Sequence, residues 1–128
     1  LDILNPKLNA VDNLLSLVPN ITMQQARTVL GNLLINNEDI NKPIAVMSGG
    51  EKSKIAIAAL LASKNNFILL DEPTNHLDMS SVDVLANALS EYPGTLIVVS
   101  QHRSFINVFA DHILQMDRIK PAELVGVE

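Results

Sequence analysis

Asp71 and Glu72 stand side by side at the end of the apolar run Phe67-Ile68-Leu69-Leu70. Four consecutive apolar residues suit a strand buried on both faces, and two carboxylates at its end deliver charge to a surface. In an open parallel sheet, ligands bind beyond the carboxyl ends of the strands, so the pair suits a metal or a reacting group better than it suits packing. Two carboxylates this close repel each other without a cation, which favours the metal. Taken alone, a strand ending in Asp-Glu fits an ordinary acid pair at a sheet edge equally well. Pro73 ends the strand because it has no amide proton for a ladder, and Asn75 and Asp78 supply turn and helix-start chemistry.

A second cluster precedes the first. Ser48-Gly49-Gly50-Glu51 has capping-box spacing, so a helix should start at Gly49 and run to about Ser63. Two glycines in its first turn cost roughly 1 kcal/mol each relative to alanine, and something must offset that. Bare backbone amides at a helix amino end, with the Ser48 hydroxyl beside them, make a ready anion site. On their own the glycines fit a tight turn into a helix better.

The elements that position these clusters follow from pattern. Asn9, with Asp12 at the third position, caps a helix over residues 8–18 with Val11, Leu14, Leu15 and Val18 on one face. Thr22 and Gln25 form a capping box for a helix holding Ala26, Val29, Leu30, Leu33 and Leu34. The polar stretch Asn36 to Lys42 reads as an exposed loop. After the strand at 67–71, Asp78 caps a helix from about Met79 to Glu91 with Val82, Leu85, Ala86 and Leu89 inward. Thr95 to Val99 is a second strand, and the helix before it is long enough for a right-handed crossover, so the two strands should run parallel. A short helix carrying Phe105, Ile106, Val108 and Phe109 and a strand over 112–116 complete the pattern, and the tail from Asp117 is weakly specified.

Composition narrows the function classes. The 128 residues, 48% of them hydrophobic, suffice for one domain with a real core. A net charge of −5 and nine unclustered Lys and Arg residues argue against a phosphate-neutralising face for DNA or RNA. The absence of cysteine excludes disulfides and thiolate metal sites, and the cytoplasm is the expected location. No apolar run approaches the ~20 residues that a membrane helix needs. Leu1 in place of an initiating Met suggests an excised segment.

The string D-E-P-T-N-H-L-D over Asp71 to Asp78, with S-G-G-E-K-S-K over Ser48 to Lys54, resembles the second part of an ATP-binding cassette (ABC) ATPase, most closely the ABC-F subfamily. The resemblance extends from about Asn9 to Asp117. Met47 to Glu51 resembles the family signature L-S-G-G-Q, Phe67 to Glu72 the Walker B strand, Asn75 to Asp78 the D-loop, and Val99 to Ile106 the switch region. It implies an α/β fold: a partial P-loop NTPase (RecA-like) three-layer core with parallel strands, preceded by a helical signature subdomain, with the Walker A half missing. Residues 1–63 would form the helical part and residues 64–128 the core part.

By position, the resemblance implies ATP and Mg²⁺ as cofactors. Asp71 would hold the metal through water, since Mg²⁺ favours one or two carboxylates plus phosphate oxygens. Glu72 would act as general base or position the attacking water. Ser48, Gly49, Gly50 and Glu51 would grip nucleotide held by a second cassette, and Asp78 would cross the same interface. Gln101 stands where the family switch carries histidine; it can donate a hydrogen bond but cannot carry a proton, which implies reduced turnover in the intact protein. His102 is not promoted in its place, because a one-residue shift would spoil the fit of Arg103 and Phe105.

No G-x-x-x-x-G-K-[ST] occurs, and none of the five glycines precedes a lysine. The chain alone should therefore not hydrolyse ATP, and the missing Walker A strand would leave a sheet edge and apolar surface open. The relatives implied act mostly on the ribosome in translation or antibiotic protection. An ATPase subunit docking a transporter's membrane subunit is the second reading, and a non-catalytic interaction domain is the third. No direct DNA contact is expected.

Overall fold

The computed structural model describes residues 3–116 and the backbone of 123–125. Its elements are α1 (Ala10–Leu17), α2 (Met23–Asn32), α3 (Asn37–Ile40), a 3₁₀ turn (Ile44–Val46), α4 (Gly49–Ala62), β1 (Phe67–Asp71), α5 (Met79–Ser90), β2 (Thr95–Val99), α6 (Arg103–Phe109), β3 (Ile113–Gln115) and β4 (Glu123–Val125).

Local capping sets most of the helix starts. The Asn9 side chain accepts from the Asp12 amide at 2.8 Å. Thr22 and Gln25 close both arms of their box, at 3.1 and 3.0 Å. Each satisfies amides that the first helical turn leaves orphaned. Two sequence expectations change here. Residues 36–42 are not an exposed loop: Asn36 accepts from the Asp39 amide at 2.8 Å, starting α3, and Ile40 is only 3% exposed. Leu34, expected on the inner face of α2, lies beyond the helix at φ 65° and is 49% exposed, because the left-handed backbone turns its side chain out.

Two hydrophobic clusters share α4. Val11, Leu14, Ala26, Leu30, Ile40, Ile44, Ile55 and Ala58 belong to one. Ile68, Leu70, Val82, Leu85, Leu89 and Phe105 belong to the other, and Ile57 of α4 packs there. The run I-A-I-A-A-L-L-A is apolar on nearly every side because the helix buries residues toward both clusters.

The amino-terminal segment is pinned by one buried amide. Asn13, 1% exposed, accepts from the Asn5 amide at 2.8 Å and donates to the carbonyls of Asn5, Leu8 and Asn9 at 3.1, 3.3 and 3.0 Å. Asp at this position keeps the acceptor but loses every donated bond. Asn13→Asp should lower the unfolding free energy by about 2–3 kcal/mol, since removing one partner leaves buried polar groups unsatisfied. Urea denaturation of the two proteins checks this.

β1 and β2 pair in parallel, from Phe67 opposite Thr95 to Asp71 opposite Val99, with α5 as the crossover between them. The expected parallel pair is therefore present, but β1 is not buried on both faces. Ile68 and Leu70 are inward, while Phe67 and Leu69 are 51% and 59% exposed. Ile97 and Val99 on β2 share that open face at 49% and 50%. One layer of helices covers one face, and the described residues supply nothing for the other. β3 pairs antiparallel with β4, so the strand expected over 112–116 forms at Ile113–Gln115, while residues 117–122 of the tail lie outside the described residues.

Candidate functional site

The parallel register sets the first part of the site. Because Asp71 pairs with Val99, the residues that follow each strand leave the sheet together: Glu72 after β1, Ser100 and Gln101 after β2. The Glu72 amide donates to the Val99 carbonyl at 2.7 Å, carrying the ladder one residue past β1. Glu72 then turns into the left-handed region at φ 49°. A glutamate there is uncommon and persists only where its surroundings hold it, here the bond to Val99 and the buried Pro73 that follows.

Asp71 and Gln101 are exposed and Glu72 is half-buried. Among the described residues, no group of three His, Asp or Glu side chains forms a protein-only metal cage. The donor set offered is a carboxylate pair at a strand end. That suits Mg²⁺, which takes few protein carboxylates and fills its octahedron with water and phosphate oxygens.

His102 is occupied differently. Its ring lies 3.0 Å from the Ser104 hydroxyl and stacks on Phe105 with centroids 6.3 Å apart. Its amide donates to the Ser100 hydroxyl at 3.1 Å. The imidazole folds back on its own helix, while Gln101 beside it is left open.

The second part is the start of α4. The Ser48 hydroxyl accepts from the Glu51 amide at 3.2 Å, as its spacing predicts, but the return arm of the box is not formed. The two glycines are in unlike surroundings. A Cβ on Gly49 would meet nothing within 4 Å, whereas one on Gly50 would stand 2.5 Å from the His76 carbonyl oxygen. Gly50 thus places the start of α4 directly against the loop that leaves β1. No hydrogen bond among the described residues joins Ser48–Glu51 to Asp71, Glu72 or Gln101.

The loop of residues 72–78 spans both parts. Asn75 and Leu77 donate to the carbonyls of Glu72 and Thr74 at 3.2 and 3.1 Å, and His76 sits at φ 68°. Asp78 ends the loop and caps α5, accepting from the Ser81 amide at 3.2 Å. The nearby Ser81 hydroxyl, then its amide, hold the Asp78 carboxyl below the usual aspartate range. That hydroxyl is buried and finds no partner of full hydrogen-bond geometry among the described residues. It lines a crevice of about 10 Å³ with Leu33, Lys54, Ile57, Leu77 and Leu85. Lys54 is therefore half-buried there, not part of a fully solvated face.

A lowered folded-state pKa means that ionised Asp78 stabilises the fold above the usual aspartate range and loses this effect as pH falls through the folded value. Asp78→Asn keeps a capping side chain and should flatten the acid limb of a plot of melting temperature against pH. Asp78→Ala should lower the melting temperature at neutral pH as well. Thermal melts from pH 7 to pH 3 separate the two.

A signature-like helix start, a strand ending in Asp-Glu and a capped loop packed against that start are features of part of an ATP-binding cassette. The family model for "ABC transporter" matches residues 2–75, more than half of the chain, and the chain belongs to that family. Its relatives are ABC-F-type ATP-binding proteins. YdiF of Bacillus subtilis (strain 168) is 46% identical over 91% of this chain and 18% of its own length. ATP-binding cassette sub-family F member 3 of Mus musculus is 38% identical over 82% of this chain and 15% of its own. The energy-dependent translational throttle protein EttA of Mycobacterium tuberculosis is 45% identical over 61% of this chain and 14% of its own. The chain thus spans less than a fifth of the length of these relatives.

Among solved structures, the fold matches the ATP-binding cassette MJ0796 in a dimeric post-hydrolysis state bound to ADP and Pi. The TM-score is 0.80 at 24% identity, over 98% of this chain and 59% of that one. A second dimeric MJ0796 structure matches with a TM-score of 0.67 at 25% identity, over 87% and 53% of the two chains. The architecture is accordingly the P-loop NTPase fold of an ABC cassette, present in part.

Proposed function

We propose that this chain is the signature and Walker B portion of an ABC-F cassette that binds and hydrolyses ATP in a sandwich with a second cassette. One observation carries the reading: the loop 72–78 joins the carboxylate end of the parallel sheet to the glycine start of α4 within one chain. Asp71 would hold Mg²⁺, which when bound neutralises phosphate charge. Glu72 orients the attacking water and accepts its proton. Gln101 offers a side-chain amide to the γ-phosphate, with no proton to exchange.

Ser48, Gly49, Gly50 and Glu51 face nucleotide held by the second cassette, and Asp78 lies at the same junction. The open space over Gly49 supports this, since none of the described residues fills it. On this reading the chain divides into a helical part over residues 1–63 and a core part over 64–128, with α4 packing into the hydrophobic clusters of both. The dimeric state of MJ0796 supports the second cassette, and the likeness to EttA, an energy-dependent translational throttle protein, supports a translation-linked task. The same reading places the protein in the cytoplasm; no helix among the described residues is long and apolar enough to cross a membrane.

A transporter subunit is the second reading, supported by MJ0796 being a bacterial ABC transporter cassette. Under that reading residues 36–42 or the first helices would meet a membrane subunit, and α3 with its buried Ile40 leaves only the outer side of 36–42 to do so. The test is phosphate release by a cassette in which these 128 residues follow a segment carrying the phosphate loop. Mg²⁺-dependent turnover by that cassette, and none by the chain alone, is expected. ATP binding without turnover would favour a non-catalytic domain instead.

A further inference from the structure

The two signature glycines differ in a way that their shared motif does not suggest. Gly49 is open. Gly50 is closed by backbone, with its would-be Cβ 2.5 Å from the His76 carbonyl oxygen and 3.5 Å from the His76 carbonyl carbon. A contact that short with backbone cannot be relieved by a rotamer change, so the loop or the helix must move when any side chain is added. The His76 carbonyl is aimed there by a left-handed backbone at φ 68°, a conformation that most side chains disfavour and glycine or asparagine tolerates. Hydrogen bonds on both sides, from Asn75 to Glu72 and from Leu77 to Thr74, tie that residue to the end of β1 and the approach to Asp78.

We propose that Gly50 and His76 form an internal latch: the first turn of α4 sets the position of the loop that carries Asn75 and Asp78, and Gly50 is glycine for that reason. Gly50 and His76 are thus positioning residues for the loop, a role that Gly50 adds to its place in the nucleotide-facing helix start, while a Cβ on Gly49 would meet none of the described residues within 4 Å. The latch deepens the reading of the chain as part of a nucleotide sandwich, because it makes the phosphate-facing helix start and the interface-crossing loop move as one body. Displacing the helix start by nucleotide would then displace Asp78, and the reverse.

The latch is tested without nucleotide by backbone amide resonances of the 128-residue chain. Gly50→Ala should shift the amides of Asn75, Leu77 and Asp78, far away in sequence, while Gly49→Ala should leave them in place. His76→Val should shift the Gly50 and Glu51 amides, and His76→Asn should not. Loop amides that ignore Gly50→Ala, or that respond equally to Gly49→Ala, would overturn the latch.

In the completed cassette, Gly50→Ala should lower kcat roughly tenfold or more, since small misplacements are costly. Adding His76→Gly, which frees the carbonyl to turn aside, should restore much of it. Failure of that rescue in an active cassette would also overturn the latch, because a defect confined to α4 would not answer to a change in the loop. A wild-type cassette without turnover would instead count against the functional reading, leaving the resonance pattern to judge the latch.

Discussion

Glu72→Gln in the completed cassette should lower the rate of ATP hydrolysis by about 10²–10⁴-fold, the usual contribution of a positioned general base. Nucleotide affinity should change little, because the amide keeps the shape of the side chain and removes only its capacity to take a proton. The half-buried residue follows a strand end fixed by the 2.7 Å bond from the Glu72 amide to the Val99 carbonyl, a backbone bond that Glu72→Gln leaves intact. Asp71→Asn should behave differently, weakening Mg²⁺ dependence and binding together. Single-turnover phosphate release with a parallel equilibrium-binding measurement separates the two. Equal loss of affinity and rate in Glu72→Gln would mean that the residue binds and does not catalyse.

The second large effect concerns the open face of the sheet. Phe67, Leu69, Ile97 and Val99 form one apolar surface across the register of β1 and β2, each about half exposed. Leu69→Asp or Ile97→Asp in the 128-residue chain should change stability by no more than about 0.5 kcal/mol, as surface substitutions do. The same substitutions in the completed cassette should cost about 3–5 kcal/mol, because a covering layer would leave an uncompensated buried charge. Chemical denaturation of the four variants measures both. Equal, small effects in the two settings would show that this face stays open in the completed cassette as well.

How much of this was legible in the sequence depended on the range of each interaction. Asn9, Thr22, Ser48 and Asp78 cap helices through bonds to the residue three positions on, so their spacing announced them. The parallel pairing of β1 and β2 followed from the length of the crossover between them. Asn36 carried the same capping signal before Asp39, but the surrounding polar residues outweighed it and the buried Ile40 was missed.

Long-range features left no comparable trace. Asn13 gives no periodic signal, and its role emerges only when the segment from Asn5 folds back over α1. The contact between Gly50 and His76 joins residues that no local pattern links, so the glycines looked alike until their surroundings were known. The half-exposure of β1 was hidden by its composition, since four apolar residues in a row describe a strand covered on both faces. The missing phosphate loop was legible, and with it the prospect of bare apolar surface on the sheet.

We propose that Asp71, Glu72 and the glycine start of α4 are parts of a nucleotide site that needs a phosphate loop these 128 residues do not contain. Titrating the 128-residue chain with Mg-ATP by calorimetry tests it most directly. No saturable binding is expected, because the 128 residues contain no G-x-x-x-x-G-K-[ST] to cradle the phosphates and supply their lysine. Tight, stoichiometric binding of Mg-ATP to the chain alone would contradict it.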